Sequence, residues 1–207
     1  MMIEKIKSVA LAGAFVAASA VAASALTIDV TNSPDLSDYA GSSTSLQTGA
    51  AWVPTFEAAE VSGSVDGQYR SPFEGFAGGE DVDYFTVGSP SLDAPNPAIL
   101  AFETTWSAFS LLWGSFDSYN TLAFYDANLD LIDFVTGSDI LTAGGSPSGL
   151  EAVAVTISDI GAFQYVYFQS DGAAFEFSNV AAVPLPAGGV LLLTALGGLA
   201  IARRRKS

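Results

Sequence analysis

The sequence predicts an all-β domain, a β-sandwich or jelly roll, held between two apolar termini. Three observations carry this prediction. Short runs rich in Val, Ile, Phe, Tyr and Thr recur through residues 26–182, bounded by Gly, Ser, Asn, Asp and Pro, the pattern of strands and their turns. No window in that segment keeps an apolar period of 3.6 for a full helix length. The charges divide the chain at the same places. Six of the seven basic residues lie at the two ends, and the segment between carries Arg70 alone against 21 acids, a formal charge of −20.

The elements follow in chain order. Residues 1–25 have the layout of a signal peptide: Lys5 and Lys7, then an apolar run of small residues over 9–23. Ala23-Ser24-Ala25 is a small-x-small cleavage site, so the mature chain is expected to begin at Leu26. Strands are predicted over 26–30, 83–87, 99–103, 109–113, 121–125, 131–135, 153–157, 165–169 and 175–179. Residues 31–48 are polar, have no aromatic but Tyr39, and read as a loosely ordered stretch. Phe175-Glu176-Phe177-Ser178 alternates and sets both Phe rings on one face, whereas Tyr165-Val166-Tyr167-Phe168 is apolar on both faces and suits a central strand. Asp126 to Asp130 is expected to form a hairpin connection, with Asn128 able to take a positive φ. Residues 144–149, Gly-Gly-Ser-Pro-Ser-Gly, read as a surface loop.

Residues 183–207 are tripartite. Val183-Pro184-Leu185-Pro186-Ala187 precedes an apolar stretch over 188–202, and Arg203, Arg204, Arg205 and Lys206 follow. Residues 187–202 would span about 24 Å as a helix, less than the ~30 Å hydrocarbon core, a gap that tilt and snorkelling arginines close. The basic cluster acts as a stop-transfer signal and stays cytoplasmic, leaving residues 26–182 outside. Pro184 and Pro186 disfavour helix and hold an extended strip at the membrane surface. A plain C-terminal membrane anchor is the alternative reading.

Composition removes much chemistry. Without Cys or His there are no disulfides, thiol nucleophiles, serine–histidine triads or zinc sites of the usual kind. A net charge of −15 excludes a nucleic-acid partner, which needs clustered Lys and Arg. Two carboxylates can make a glycosidase, but no catalytic motif accompanies the 21 acids, and the chain is expected not to be an enzyme. Cofactors are expected to be none, with weak Ca²⁺ uptake by so acidic a surface.

Two candidate sites remain inside the domain. Trp113, Asp117, Tyr119 and Asn120 form the densest polar-aromatic stretch; they either present rings and hydrogen-bonding groups to a glycan or make core and a capped turn. Glu80, Asp81 and Asp83 either ligate a metal or form a solvated turn before a strand. Asp126-x-Asn128-x-Asp130 starts like a calcium loop, but Leu131 and Gly137 stand where an EF-hand needs Gly and Glu.

The tail closely resembles the VPLPA variant of the PEP-CTERM sorting signal found on bacterial surface proteins. The likeness rests on Val183 to Ala187, the Gly-rich apolar stretch and the terminal Arg cluster, and covers about the last 25 residues. It implies recognition by an exosortase-like membrane transpeptidase, with transfer from the inner membrane to the cell surface or extracellular matrix; separately, a sandwich that acts as a carbohydrate- or calcium-binding module would have exopolysaccharide as its partner. A weaker likeness to exosortase-associated surface proteins covers residues 109–122 and 174–180 and implies no catalytic residue. Replacing Pro184 and Pro186 together with Ala is expected to leave the precursor in the inner membrane on cell fractionation; unchanged surface release would count against the sorting reading.

Overall fold

Alternation of apolar and polar residues resolves into strands β1 (Thr27–Asn32), β2 (Gln47–Thr48), β3 (Ala59–Val61), β4 (Tyr84–Val87), β5 (Ala98–Trp106), β6 (Ala108–Trp113), β7 (Asn120–Tyr125), β8 (Leu131–Thr136), β9 (Val153–Ser158), β10 (Phe163–Ser170) and β11 (Phe175–Val183). The structure, a computed structural model, describes residues 26–44, 46–48, 56–145 and 151–183. Each of the nine predicted runs coincides with one of these strands, those at 26–30 and 83–87 beginning one residue before it, while β2 and β3 fall outside the predicted runs. The signal segment, Ala23 and Ala25 included, and residues 184–207 lie outside the described residues, so Leu26 and Val183 are the parts of the two processing motifs that the structure describes. Among the described residues no helix is long and apolar enough to cross a membrane.

The strands form two sheets. One has the order β1-β9-β6-β11-β4-β3, with β2 added parallel to the end of β11; the other has the order β5-β10-β7-β8. All other pairings are antiparallel. As expected, β10 is central, between β5 and β7. Its Val166 and Phe168 are buried, and Tyr165 and Tyr167 are half-buried. The Tyr167 ring lies 4.5 Å from that of Tyr125 on the neighbouring strand.

The sheets share one core. Phe109 on β6 meets Phe124 on β7 at 5.7 Å between ring centroids. Phe177 on β11 stacks on Phe168 on β10 at 4.3 Å. Such pairs contribute about 0.5–1.5 kcal/mol each beyond their area burial.

The larger sheet is covered on its outer face too. There Tyr84 and Leu112 pack with Phe73 and with half-buried Leu36, Tyr39, Phe76 and Val82, which come from the segments around 33–44 and 69–83. The expectation of a loosely ordered 31–48 stretch is therefore corrected. Residues 37–40 form the short helix α1 (Ser37–Ala40), and a bulge in β11 fastens the segment. At the bulge Asn179 takes φ 50°, which asparagine tolerates better than most residues. Its backbone N–H donates to the Ser43 carbonyl at 2.8 Å and its side-chain amide to the Tyr39 carbonyl at 3.0 Å.

Two further details differ from the sequence reading. In the β7–β8 connection Leu129, not Asn128, takes the positive φ, at 67°. The Asp126 carboxylate accepts the N–H groups of Asn128 and Asp130 at 2.8 and 2.9 Å, which places the left-handed residue one position later. A short helix, α2 (Gly137–Thr142), follows β8, opened by a capping box between Thr136 and Asp139. Of the predicted loop 144–149, Gly144 is exposed and Gly145 is buried, and 146–149 lie outside the described residues.

Truncation at the inter-sheet stack should separate core from surface. Phe168→Ala is expected to cost about 3–5 kcal/mol and to lower the urea midpoint accordingly. Phe134→Ala on β8, where the ring is 51 % exposed, should stay within about 0.5 kcal/mol of the parent.

Candidate functional site

The alternation of β11 sends Phe175 and Phe177 into the core and Glu176 and Ser178 to the outer face. Glu176 is nevertheless only 1 % exposed, because two connections close over it. After β6 the chain turns at Gly114, whose N–H donates to the Glu176 carbonyl at 2.7 Å. A Cβ at Gly114 would lie 2.9 Å from the Glu176 Cβ, so only glycine allows this approach. Ser115 Oγ then donates to Glu176 Oε2 at 2.7 Å, and the Arg70 backbone N–H donates to Oε1 at 2.9 Å.

These contacts leave a cleft of about 570 Å³, within the range typical of ligand sites. One part of its lining comes from residues 64–70. There a tight turn closes with Val65 N–H donating to the Tyr69 carbonyl at 2.9 Å, and Gly67 takes φ +69°. The other part comes from Ser115, Asp117 and Tyr119 in the β6–β7 connection, with Ala173 and Glu176 behind them. Arg70 forms an ion pair with Glu74 across one turn. Tyr84 supports the floor by donating its hydroxyl to the Gly63 carbonyl at 2.6 Å.

Burial governs the electrostatics. It pushes the Glu176 carboxyl up to about 7, against the hydrogen bonds from Ser115 and Arg70 that favour the charged form, and the Asp117 charge adds to the rise. Burial, then the neighbouring Asp117 carboxylate, push Tyr119 up to about 12. Burial, followed by the Glu176 charge, holds Tyr84 well above the ordinary tyrosine range.

The predicted polar-aromatic stretch divides. Trp113 is fully buried and stacks on Phe175 at 4.5 Å, so it is core and not ligand surface. Asn120 is also fully buried. Its side-chain amide donates to the Ser115 carbonyl at 3.0 Å and its oxygen accepts from Ser170 Oγ at 2.8 Å, which makes it a staple of the turn. The reason is register: Trp113 pairs with Phe177 and shares its inward face. Asp117 and Tyr119 do reach the cleft. Tyr119 lies against Gly172, where a Cβ would stand 2.8 Å from the ring, and its hydroxyl donates to the Ala173 carbonyl at 3.1 Å.

The acidic candidates do not converge. Glu80 and Asp81 lie on an exposed 3₁₀ turn, Gly79–Asp81, and Asp83 is exposed just before β4. Among the described residues no three acidic side chains come together to hold a metal ion.

Sequence reasoning missed Glu176, Arg70, Ser115 and Tyr69. Two signals pointed that way: Arg70 is the sole base of the acidic segment, and Glu176 sits between two phenylalanines. Compared with protein-family models, curated proteins and solved structures, the chain matches none of them.

The raised Glu176 pKa makes a pH prediction. The folded protein keeps a proton that the unfolded chain releases above its ordinary value of 4.5. The associated stability is complete below that value and is lost as pH rises through about 7. The urea midpoint is expected to fall between about pH 5 and about pH 8. Glu176→Gln should flatten this fall and exceed the parent at the upper pH.

Proposed function

We propose that the chain is a non-enzymatic surface or extracellular-matrix protein, exported through residues 1–25 and handed by residues 183–207 to an exosortase-like transpeptidase. The observation that carries this reading is the fit between the fold and the expected processing points. The first strand starts at Thr27, one residue after the expected mature start, and β11 runs to Val183, the last described residue and the first of the sorting motif. The strand that leads into the tail is central. β11 lies between β6 and β4, and its Val183 pairs with Ala108. Pro184 has no N–H to extend that ladder, so a cut within Val183 to Ala187 leaves every described strand whole. On this reading the precursor sits transiently in the inner membrane, with Arg203 to Lys206 on the cytoplasmic side.

The domain is further read as a jelly roll. With β1, β2 and β3 set aside, the order β4-β11-β6-β9 faces β5-β10-β7-β8. Consecutive strands from β4 to β7 and from β8 to β11 alternate between the sheets, as two Greek keys do.

A second reading, that the sandwich is a carbohydrate-binding matrix module, is favoured by the cleft, where Tyr69 and Tyr119 sit among hydrogen-bonding side chains. The calcium form of that module has no group of three acidic side chains able to hold a metal ion among the described residues to support it.

The intact mass of the protein recovered from the native cell surface or medium tests the sorting reading. A species starting at Leu26 and ending within Val183 to Ala187 is expected. A species retaining Arg203 to Lys206 would identify a plain membrane anchor, and the sorting reading would fall.

A further inference from the structure

We propose that the cleft over Glu176 binds an amino sugar, with the sugar's ammonium held by Asp117 and Asp66 and its ring against Tyr69 and Tyr119. The proposal rests on the second reading above, that the sandwich binds carbohydrate, and names which carbohydrate.

Charge selects the class. Of the residues lining the cleft, Asp66, Glu74, Asp117 and Glu176 are acids and Arg70 is the base. Arg70 is engaged by Glu74, and the Glu176 carboxylate is already held by Ser115 and the Arg70 backbone. Asp66 and Asp117 then carry negative charge that no lining cation balances. A uronic acid or sulfated sugar would meet repulsion here, whereas an ammonium group would form charge-assisted hydrogen bonds.

Shape and polarity select a sugar over a simple amine. The two tyrosines are half-buried, and each offers an apolar ring with a polar tip, the surface that the C–H face of a pyranose covers. Ser64 and Gln68 add hydroxyl and amide groups to the lining for the hydroxyls of a polyol. The cleft's framework is preorganised. Gly114 and Gly172 seat β11 and the Tyr119 ring by approaches that a Cβ would block, and Asn120 holds the turn that bears Asp117. Its N–H donates to the Asp117 carbonyl at 2.9 Å.

Titration calorimetry on the full-length chain in detergent micelles tests this, at about pH 6, where the amine is protonated, and at physiological salt. The probes are the β-1,4-linked trimer of glucosamine and its fully N-acetylated counterpart. The glucosamine trimer is expected to bind about tenfold more tightly, since one charge-assisted hydrogen bond is at stake. Asp117→Asn should weaken that binding about fivefold or more, and so should Asp66→Asn, at an exposed position of the turn. Glu103→Gln, an exposed acid on β5, should leave it unchanged. Equal affinity for the two trimers would overturn the amino-sugar inference and leave the carbohydrate reading standing. Binding of neither would overturn both. Equal weakening by Glu103→Gln would mean general attraction to an acidic protein, and the inference would fall.

Discussion

The structure depends on one strand whose two faces are both buried. β11 places Phe175 and Phe177 between the sheets and Glu176 and Ser178 under a layer of connecting chain. A carboxyl in that position is costly to ionise and costly to leave without partners. Its partners are the Ser115 hydroxyl and the Arg70 N–H, which belong to connections far apart in sequence. The buried carboxyl thereby holds two loops against the sheet, and the cleft is the space that remains between them.

The same strand links the domain to its tail. It pairs with β6 along one edge and with β4 and β2 along the other, and its bulge at Asn179 binds the segment around α1. On the proposed sorting reading, a pull on Val183 acts on the centre of the larger sheet rather than on an edge strand. A protein joined to a surface through its C-terminus gains from that arrangement, because central strands are among the last to open.

Acidity sets the character of the rest. Residues 26–182, at net −20, repel one another, a force that favours solubility at some cost to compactness. With a single base in residues 26–182, ion pairing contributes little to stability. Aromatic packing between the sheets and side chain-to-backbone hydrogen bonds supply the specific contacts instead. Unbalanced acids in the cleft are part of the same composition, and cationic polyols are the ligands it suits.

The strands were legible because period-two alternation and turn residues are local signals. The nine runs from β1 to β11 needed nothing beyond neighbouring residues, and the central place of β10 followed from apolar side chains on both its faces. The site was legible only in part. Asp117 and Tyr119 stood out by composition, but so did Trp113 and Asn120, and which of these faces inward depends on the pairing of Trp113 with Phe177. The sequence by itself determined the all-β class, the positions of nine of the eleven described strands, the charge of the domain and the resemblance of its tail. Only the tertiary structure decided that Glu176 is buried and that residues 33–44 are ordered. It also brought Arg70 to a carboxyl 106 residues away, because contacts between distant segments leave no periodic trace in the chain.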